Sequence, residues 1–162
     1  MARFRVVLVA IAAFSLAVAT GWWAGGEPTR YQATVIDVID GDTIVVDFAN
    51  ATTVTVRILG IDTPETKHPE MGVECFGPEA SDYAKRRLMN AHVRIEFDRE
   101  RTDKYGRTLA HVYRDGSRFS DELLAAGLAE WFVLPPNGRY SRTQLQLELV
   151  ARARDVGMWG AC

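Results

Sequence analysis

The sequence contains few of the residues that hold disulfide-rich or zinc-dependent domains together. It has two cysteines and three histidines in 162 residues, and no Cys-X-X-Cys pair occurs. This scarcity excludes a disulfide-dense scaffold and gives no indication of a structural zinc site. An excess of charge is also missing, since the formal net charge is −2. A globally basic nucleic-acid binder is therefore excluded, although a local basic patch is not.

Long uncharged stretches are missing from most of the sequence, and one occurs near its start. Arg3 and Arg5 precede an uncharged run from residue 6 to residue 26, which contains the small-residue pattern Ala17-Val18-Ala19. These features predict that residues 1–25 are a signal peptide or an N-terminal membrane anchor, with a membrane tether through residues 6–24 in the second case. Either interpretation exports the domain 26–162, as a secreted, periplasmic or cell-envelope protein or as a membrane-anchored one.

The remaining residues have the composition of one globular domain, with 48% hydrophobic and 25% charged residues over the whole chain. Alternating, β-branched segments predict five strands, and helical spacing predicts three helices, the second capped by Ser120. Residues 61–75 are predicted to be a loop. The strands are residues 31–39, 43–48, 53–59, 92–97 and 108–113, and the helices are residues 78–90, 120–127 and 141–155. We therefore predict a mainly β, α+β fold: a five-stranded barrel of the oligonucleotide/oligosaccharide-binding (OB) type with three helices.

Charge is unevenly distributed along this domain. Residues 26–84 contain three basic and eleven acidic residues, whereas residues 85–118 contain ten basic and five acidic residues. Two solvated faces are the simplest interpretation. The alternative is a cation site in the first segment beside an anion site in the second, which a metal-assisted enzyme acting on a phosphate ester would need.

Two acidic motifs supply candidates for the cation site. Asp40-Gly41-Asp42-Thr43 alone predicts a hairpin turn, and Asp62-Thr63-Pro64-Glu65 alone predicts an Asx turn. If the two turns meet, Asp42, Asp62 and Glu65 become three unpaired carboxylates in one pocket, and a bound cation would relieve their repulsion. Because histidine and cysteine are missing from both motifs, the oxygen ligands indicate a hard ion, Ca²⁺ or Mg²⁺.

Two basic features supply candidates for the anion site. Arg57 lies on the third predicted strand, and residues 101–107 read Arg-Thr-Asp-Lys-Tyr-Gly-Arg before the fifth. An exposed strand arginine and a solvated loop are the simple interpretations. The functional interpretation places Arg107 at a strand start, where it would face a phosphate, with Lys104 and Tyr105 at the rim.

In this order and at these separations, the motifs resemble the staphylococcal nuclease (thermonuclease) family. The resemblance covers about residues 31–159, and the runs that carry it are residues 62–69, 77–81 and 101–107. It implies the OB barrel with three helices. It also implies a monomeric hydrolase, an endonuclease that cleaves phosphodiester bonds of DNA and RNA with Ca²⁺ and leaves 3′-phosphates. No protein partner is implied.

The resemblance also implies roles for individual residues in the acidic motifs. Asp42 and Asp62 would bind Ca²⁺ through their carboxylates, and Thr63 would bind it through its backbone carbonyl. Glu65 would act as general base on the attacking water.

The basic residues would bind phosphate groups. Arg57 and Arg107 would bind the phosphate that reacts, and Lys104 and Tyr105 would hold the terminal phosphate of a bound nucleotide. The family stacks a base on tyrosines near the later proline turn, where this chain has Trp131 and other apolar residues instead. The stacking residue therefore stays open between Trp131 and Phe132.

Two other classes of function compete with this interpretation. Barrels of this type also serve as binding modules without chemistry, and a tethered structural protein of the cell envelope would explain the N-terminal segment. A binding module derived from an enzyme is expected to lose part of its site. The five residues of the implied centre are all present, namely Asp42, Arg57, Asp62, Glu65 and Arg107.

The two cysteines predict one disulfide. Cys75 precedes the first predicted helix and Cys162 is the last residue. An exported domain meets an oxidising environment, in which a bridge between them would hold the C-terminus in place. The alternative is one buried thiol and one thiol at a frayed terminus.

Overall fold

The computed structural model describes residues 30–66 and 72–162. The predicted signal peptide or anchor lies outside the described residues and stays a prediction. In the described part of the chain, no helix is both long enough and apolar enough to cross a membrane.

The described residues form eight strands and four helices. In chain order they are β1 (Arg30–Val38), β2 (Thr43–Phe48), β3 (Thr53–Ile58), β4 (Gly60–Asp62), α1 (Gly77–Leu88), β5 (His92–Glu96), β6 (Thr108–Arg114), β7 (Ser117–Arg118), α2 (Phe119–Ala125), β8 (Glu130–Phe132), α3 (Ser141–Ala153) and α4 (Met158–Ala161).

Five of these strands close a barrel. The order across the sheet is β3-β2-β1-β5-β6, and a parallel pairing of β3 with β6 joins the two ends. All other neighbours in the barrel are antiparallel. The predicted five-stranded OB barrel with three helices is confirmed, with β4, β7, β8 and the short α4 as additions. Closure pairs the strand edges, which would otherwise be open to other chains.

The barrel interior is filled by one side of each strand, as the alternation in the sequence predicts. Val35, Ile44, Val56 and Ile95 are completely buried there. Helix α1 covers this core with the face that contains Ala80, Ala84 and Leu88, and α2 adds Phe119, Leu123 and Leu124. Each large apolar side chain buried in this way stabilises the fold by about 1.5–3 kcal/mol.

Two local predictions are wrong. The segment predicted as a loop from residue 61 begins with β4, which pairs with β8; a three-residue strand is too short to show a hydrophobic period. Ser120 does not cap α2, because the cap residue is Arg118. The Ser120 hydroxyl is buried and accepts a hydrogen bond of 3.0 Å from the Gln144 amide instead.

The C-terminus is held against the rest of the domain at two points. The backbone N–H of Met158 donates to the carbonyl of Gly127 (2.9 Å), which docks α4 on the end of α2. The predicted disulfide between Cys75 and Cys162 is present and links residues 87 positions apart. It connects α4 to the segment just before α1.

Candidate active site

One polar cavity of about 200 Å³ lies where the ends of β2, β3 and β4 meet the turn before β6. Six of the eight residues predicted for the site line this cavity. The two others, Lys104 and Tyr105, do not line it. The lining residues are Asp40, Asp42, Thr43, Arg57, Asp62, Thr63, Pro64, Glu65 and Arg107.

Strand pairing explains why residues distant in sequence meet here. Thr43 pairs with Arg57 across β2 and β3, and the backbone N–H of Ile58 donates to the Asp42 carbonyl (2.8 Å). Gly41 lets the two acidic turns approach closely, since a Cβ at this position would lie 2.7 Å from the Cγ2 atom of Thr63. The barrel therefore joins the motifs of residues 40–43 and 62–65.

Arg57 lines the cavity and is buried. Its Nη1 donates to the backbone carbonyls of Ile58 and Ile61, each at 2.8 Å. Its Nη2 lies 2.6 Å from Oδ1 of Asp62 and 3.2 Å from Oδ2 of Asp42. The expectation of unpaired carboxylates is thus wrong for Asp42 and Asp62, because one guanidinium bridges them.

Asp42 is buried, and its carboxylate is held by the two neighbouring threonines. The Thr43 hydroxyl donates to Oδ1 (2.9 Å), while the backbone N–H and the hydroxyl of Thr63 lie 3.0 Å and 3.2 Å from Oδ2. These contacts fix the direction in which the carboxylate points. They also join the β1–β2 turn to the segment that contains Glu65.

Negative charge accumulates in this cavity despite Arg57. Burial, followed by the charge of Asp42, raises the pKa of Asp40 to about 6. Burial also raises the pKa of Asp62; the Arg57 charge opposes this shift, and the Asp42 charge adds to it. An added positive charge would favour the ionised form of both carboxylates.

Arg107 is oriented by the turn that precedes it. The carboxylate of Asp103 accepts hydrogen bonds from the Arg107 backbone N–H (2.9 Å) and from its Nε (2.7 Å). Although burial acts to raise the pKa of Asp103, these hydrogen bonds lower it. The exposed Tyr105 ring lies beside Arg107, with the guanidinium carbon 5.5 Å from the ring centroid. Lys104 and Tyr105 therefore lie next to Arg107, outside the cavity.

The donors in the cavity fit a hard divalent cation, since they are carboxylate, hydroxyl and carbonyl oxygens. Within residues 30–66 and 72–162, no group of three or more His, Cys, Asp or Glu side chains is arranged to hold a metal ion. Two carboxylates that share a guanidinium are a sparse ligand set. Backbone, water and substrate oxygens would have to complete the coordination of an ion.

Comparison with known proteins identifies the family. The family model described as "Staphylococcal nuclease homologue" matches residues 55–161. The chain belongs to the staphylococcal nuclease family. It is 42% identical over 122 residues to the thermonuclease of Staphylococcus intermedius, a match that covers 75% of this chain and 72% of that protein. It is 38% identical over 143 residues to endonuclease YncB of Bacillus subtilis, covering 84% of this chain and 67% of that protein.

This membership establishes the class of reaction. The protein is a nuclease, a hydrolase that acts on phosphodiester bonds, and its substrate is nucleic acid. Residues of the nuclease that sequence reasoning missed are Asp40 and Asp103. Asp40 accepts a hydrogen bond from the Asp42 backbone N–H (3.1 Å), and Asp103 accepts one from the Tyr105 backbone N–H (2.9 Å). Both contacts join an aspartate to the residue two positions later, which is the pattern that could have revealed them.

Proposed function

We propose that this nuclease is a calcium-dependent endonuclease that hydrolyses DNA and RNA and leaves 3′-phosphates. The observation that carries the proposal is the shared cavity, which is lined by Asp42, Asp62 and Glu65 together with Arg57 and Arg107. A phosphodiester placed in this cavity would meet both the carboxylates that would hold a cation and the two arginines. Phosphoryl chemistry requires this combination of charges.

The two arginines have distinct tasks in this mechanism. Arg57 is held rigidly by two backbone carbonyls, so that its guanidinium is preorganised, whereas Arg107 is held through Asp103. Both would bind non-bridging phosphate oxygens. Their hydrogen bonds would strengthen as negative charge develops in the five-coordinate transition state, which is the source of the rate gain.

Glu65 is the proposed general base. It lines the cavity directly after the rigid Pro64, and the Thr66 backbone N–H donates to its Oε1 (3.0 Å). From this place it would orient the attacking water and accept its proton. A positioned base of this kind contributes typically about 10²–10⁴-fold to the rate.

Asp42, Asp62 and the Thr63 carbonyl are the proposed Ca²⁺ ligands. Bound Ca²⁺ would supply positive charge to the phosphate and lower the cost of bringing an anionic substrate to these carboxylates. With two carboxylates in the ligand set, we expect modest affinity, on the order of 10⁻⁴–10⁻³ M. The positive ion and the anionic phosphate would each offset the charge of the other, so calcium and substrate should each strengthen binding of the other.

The experiment is incubation of the purified domain with plasmid DNA, single-stranded DNA and RNA, each with Ca²⁺, Mg²⁺ or a chelator. We expect cleavage with Ca²⁺ and poor cleavage with Mg²⁺, which requires stricter octahedral geometry. Linearised or nicked plasmid would show endonuclease action. Products that carry a 3′-phosphate and a free 5′-hydroxyl would accept phosphate from a polynucleotide kinase. Equal turnover with both ions would refute the calcium preference.

Export is proposed from the N-terminal sequence alone. The domain would act outside the cytosol, either after cleavage near Ala19 or while tethered through residues 6–24. N-terminal sequencing of the mature protein separates the two cases, since a start near Thr20 indicates cleavage and an intact N-terminus in the membrane fraction indicates the anchor. Recovery from the cytosol alone would refute export.

A further inference from the structure

Glu74 forms hydrogen bonds with both the backbone N–H and the backbone carbonyl of Glu65. The Oε2 atom of Glu74 accepts a hydrogen bond from the Glu65 backbone N–H (2.8 Å), and the Glu74 backbone N–H donates to the Glu65 carbonyl (2.9 Å). Glu74, nine positions later in sequence, thus holds both the backbone N–H and the backbone carbonyl of Glu65. Neither contact uses the Glu65 carboxylate, which stays directed by its own neighbours.

The first residue of α1, Gly77, packs closely against the Glu65 carbonyl. A Cβ atom at Gly77 would lie 2.8 Å from the Glu65 carbonyl oxygen and 3.2 Å from that of Pro64. The Gly77 backbone N–H donates in turn to the Glu74 carbonyl (3.0 Å). Residues 74–77 therefore form a support beneath the Pro64–Glu65 segment, and the absence of a side chain at Gly77 permits the close contact.

The disulfide holds this support in place. Cys75 is the neighbour of Glu74, and its bridge to Cys162 ties residues 74–77 to α4. Helix α4 is itself docked on Gly127 through the Met158 N–H. Pro64 and Glu74 share a cavity with Met158, Trp159 and Cys162, so the two segments lie side by side. A continuous set of contacts thus runs from the folded helices to Glu65.

We propose that Glu74 is a positioning residue for Glu65 and that the Cys75–Cys162 disulfide keeps Glu74 in the position that this task needs. The inference rests on the proposed function for the role of Glu65 as base. It adds that the geometry of that base depends on Glu74, which does not line the active-site cavity, and on a covalent link to the C-terminus. A misplaced base reduces turnover on the order of 10²-fold without weakening the binding of substrate.

The first test compares three variants of the full domain under single-turnover conditions. Glu74→Ala removes the acceptor for the Glu65 N–H, and we expect turnover to fall about 10- to 100-fold with little change in KM. Glu74→Gln keeps an acceptor oxygen and should recover most of the turnover. Glu79→Ala removes an exposed carboxylate in the first turn of α1 and should behave like the parent. The double variant C75S/C162S should lower turnover in the same direction as Glu74→Ala.

The second test separates positioning from general stability and from the role of Glu65. Amide hydrogen exchange at Glu65 should accelerate in Glu74→Ala but not in Glu74→Gln, a result that does not depend on activity. Adding Glu74→Ala to Glu65→Gln should cause no further loss of turnover, because the group being positioned is already missing. If Glu74→Ala matches Glu79→Ala in turnover and in exchange, the positioning role is refuted. If Glu65→Gln alone retains turnover, the proposed base is refuted instead.

Discussion

Arg57 shows how one buried residue can serve both the fold and the chemistry. Its guanidinium satisfies two backbone carbonyls at the point where β3 gives way to β4, and it also pairs with Asp42 and Asp62. An arginine suits this position better than a lysine because its planar group offers several donors in fixed directions. The turn that presents the acidic motif is therefore built around the same side chain that is proposed to bind phosphate.

Replacing Arg57 should consequently affect stability as well as activity. In Arg57→Ala two carbonyls lose their donor and the buried Asp42 loses its cation, and we expect a loss of about 2–4 kcal/mol in the free energy of unfolding. Asp62 contributes little to this figure, since its side chain is 59% exposed. Arg57→Lys should recover part of the stability. Denaturant unfolding measures the stability of both variants, with replacement of the exposed Arg86 by alanine as the control. Equal stability of Arg57→Ala and Arg86→Ala would contradict the structural role assigned to Arg57.

Glu65 and Arg107 make a different prediction, because neither completes the core. Glu65→Gln and Arg107→Ala should each lower turnover by orders of magnitude while the domain stays folded. Rapid-quench kinetics at saturating DNA measures the chemical step, and circular dichroism checks the fold. Arg86→Ala again serves as the control for loss of a basic side chain. Turnover close to that of the parent in either variant would show that the role assigned to that residue is wrong.

At the level of elements, the site is made by turns that follow strands. The β1–β2 turn, the last residue of β4 and the segment after it contribute the carboxylates, and the turn before β6 contributes Arg107. Strand pairing sets their distances, whereas contacts between turns set the direction of each side chain. Gly41 is the point at which two of these turns touch.

A methyl group at Gly41 should separate the two acidic turns. In Gly41→Ala the new Cβ would lie within 3 Å of the Thr63 side chain, which would have to move away from Asp42. We expect a loss of about 1–3 kcal/mol in the free energy of unfolding. We also expect half-maximal activity to need a higher Ca²⁺ concentration, because Asp42 and Thr63 are both proposed ligands. Calcium titration of activity and thermal unfolding measure the two effects. Gly138→Ala, whose Cβ would approach only a serine hydroxyl, is the matched control; identical calcium titrations for both variants would contradict the prediction.

The sequence predicts the positions of the barrel strands and of α1–α3 well because a clear period or turn residues mark them. It does not predict the buried face of α3, which consists of Gln144, Glu148 and Ala151. Hydrophobic alternation marks β1 and β2, and Pro78 marks the start of α1. Hydrophobic period and turn residues do not predict β4 or the burial of Gln144. The Gln144 side chain lies against Gly60 and donates a hydrogen bond to Ser120. Those contacts connect residues far apart in sequence and leave no local pattern.

The candidate site divides in the same way between what is predictable and what is not. The motifs identify which residues belong together, and the cavity brings six of them to one place. The bridge that Arg57 makes between two carboxylates was not predictable, since it depends on the exact approach of β2, β3 and β4. The support from Glu74 was missed for a similar reason, because its contacts are to the backbone of Glu65 and leave no sequence pattern.

For the whole molecule, a second polar cluster ties the barrel to the segment before α3. Glu96, at the end of β5, is buried and accepts hydrogen bonds from the Tyr140 hydroxyl, from Arg94 (3.0 Å) and from Arg30 (3.2 Å). Burial acts to raise the pKa of Glu96, but the hydrogen bonds outweigh it and lower the pKa. This carboxylate therefore stabilises the fold when ionised, and its contribution is lost as the pH falls through its lowered pKa.

His111 should make the stability of the whole domain depend on pH in a less acidic range. It lies on β6 and is 2% exposed, and neither ring nitrogen has a hydrogen-bond partner in the part of the chain that the structure describes. Burial first, and then the charge of Arg118, lower the pKa of His111 to about 4; Asp98 and Glu96 act in the opposite direction. In the unfolded chain the same imidazole titrates near 6.5.

Between these two pKa values the unfolded chain binds a proton at His111 that the folded domain does not bind, so the contribution of His111 to the free energy of unfolding should fall as the pH falls from about 6.5 to about 4. The full effect is about 3 kcal/mol and is absent above this range. His111→Phe keeps a ring against Tyr140, whose centroid lies 4.8 Å from that of the imidazole, and removes the titrating group. Urea unfolding of both proteins from pH 4 to pH 8 measures the difference. Relative to His111→Phe, the parent should lose about 3 kcal/mol of stability between pH 8 and pH 4, whereas parallel curves over the whole range would show that His111 does not contribute. The contributions of Asp40, whose raised pKa acts in the opposite direction, and of Glu96 are shared by both proteins and cancel in this comparison.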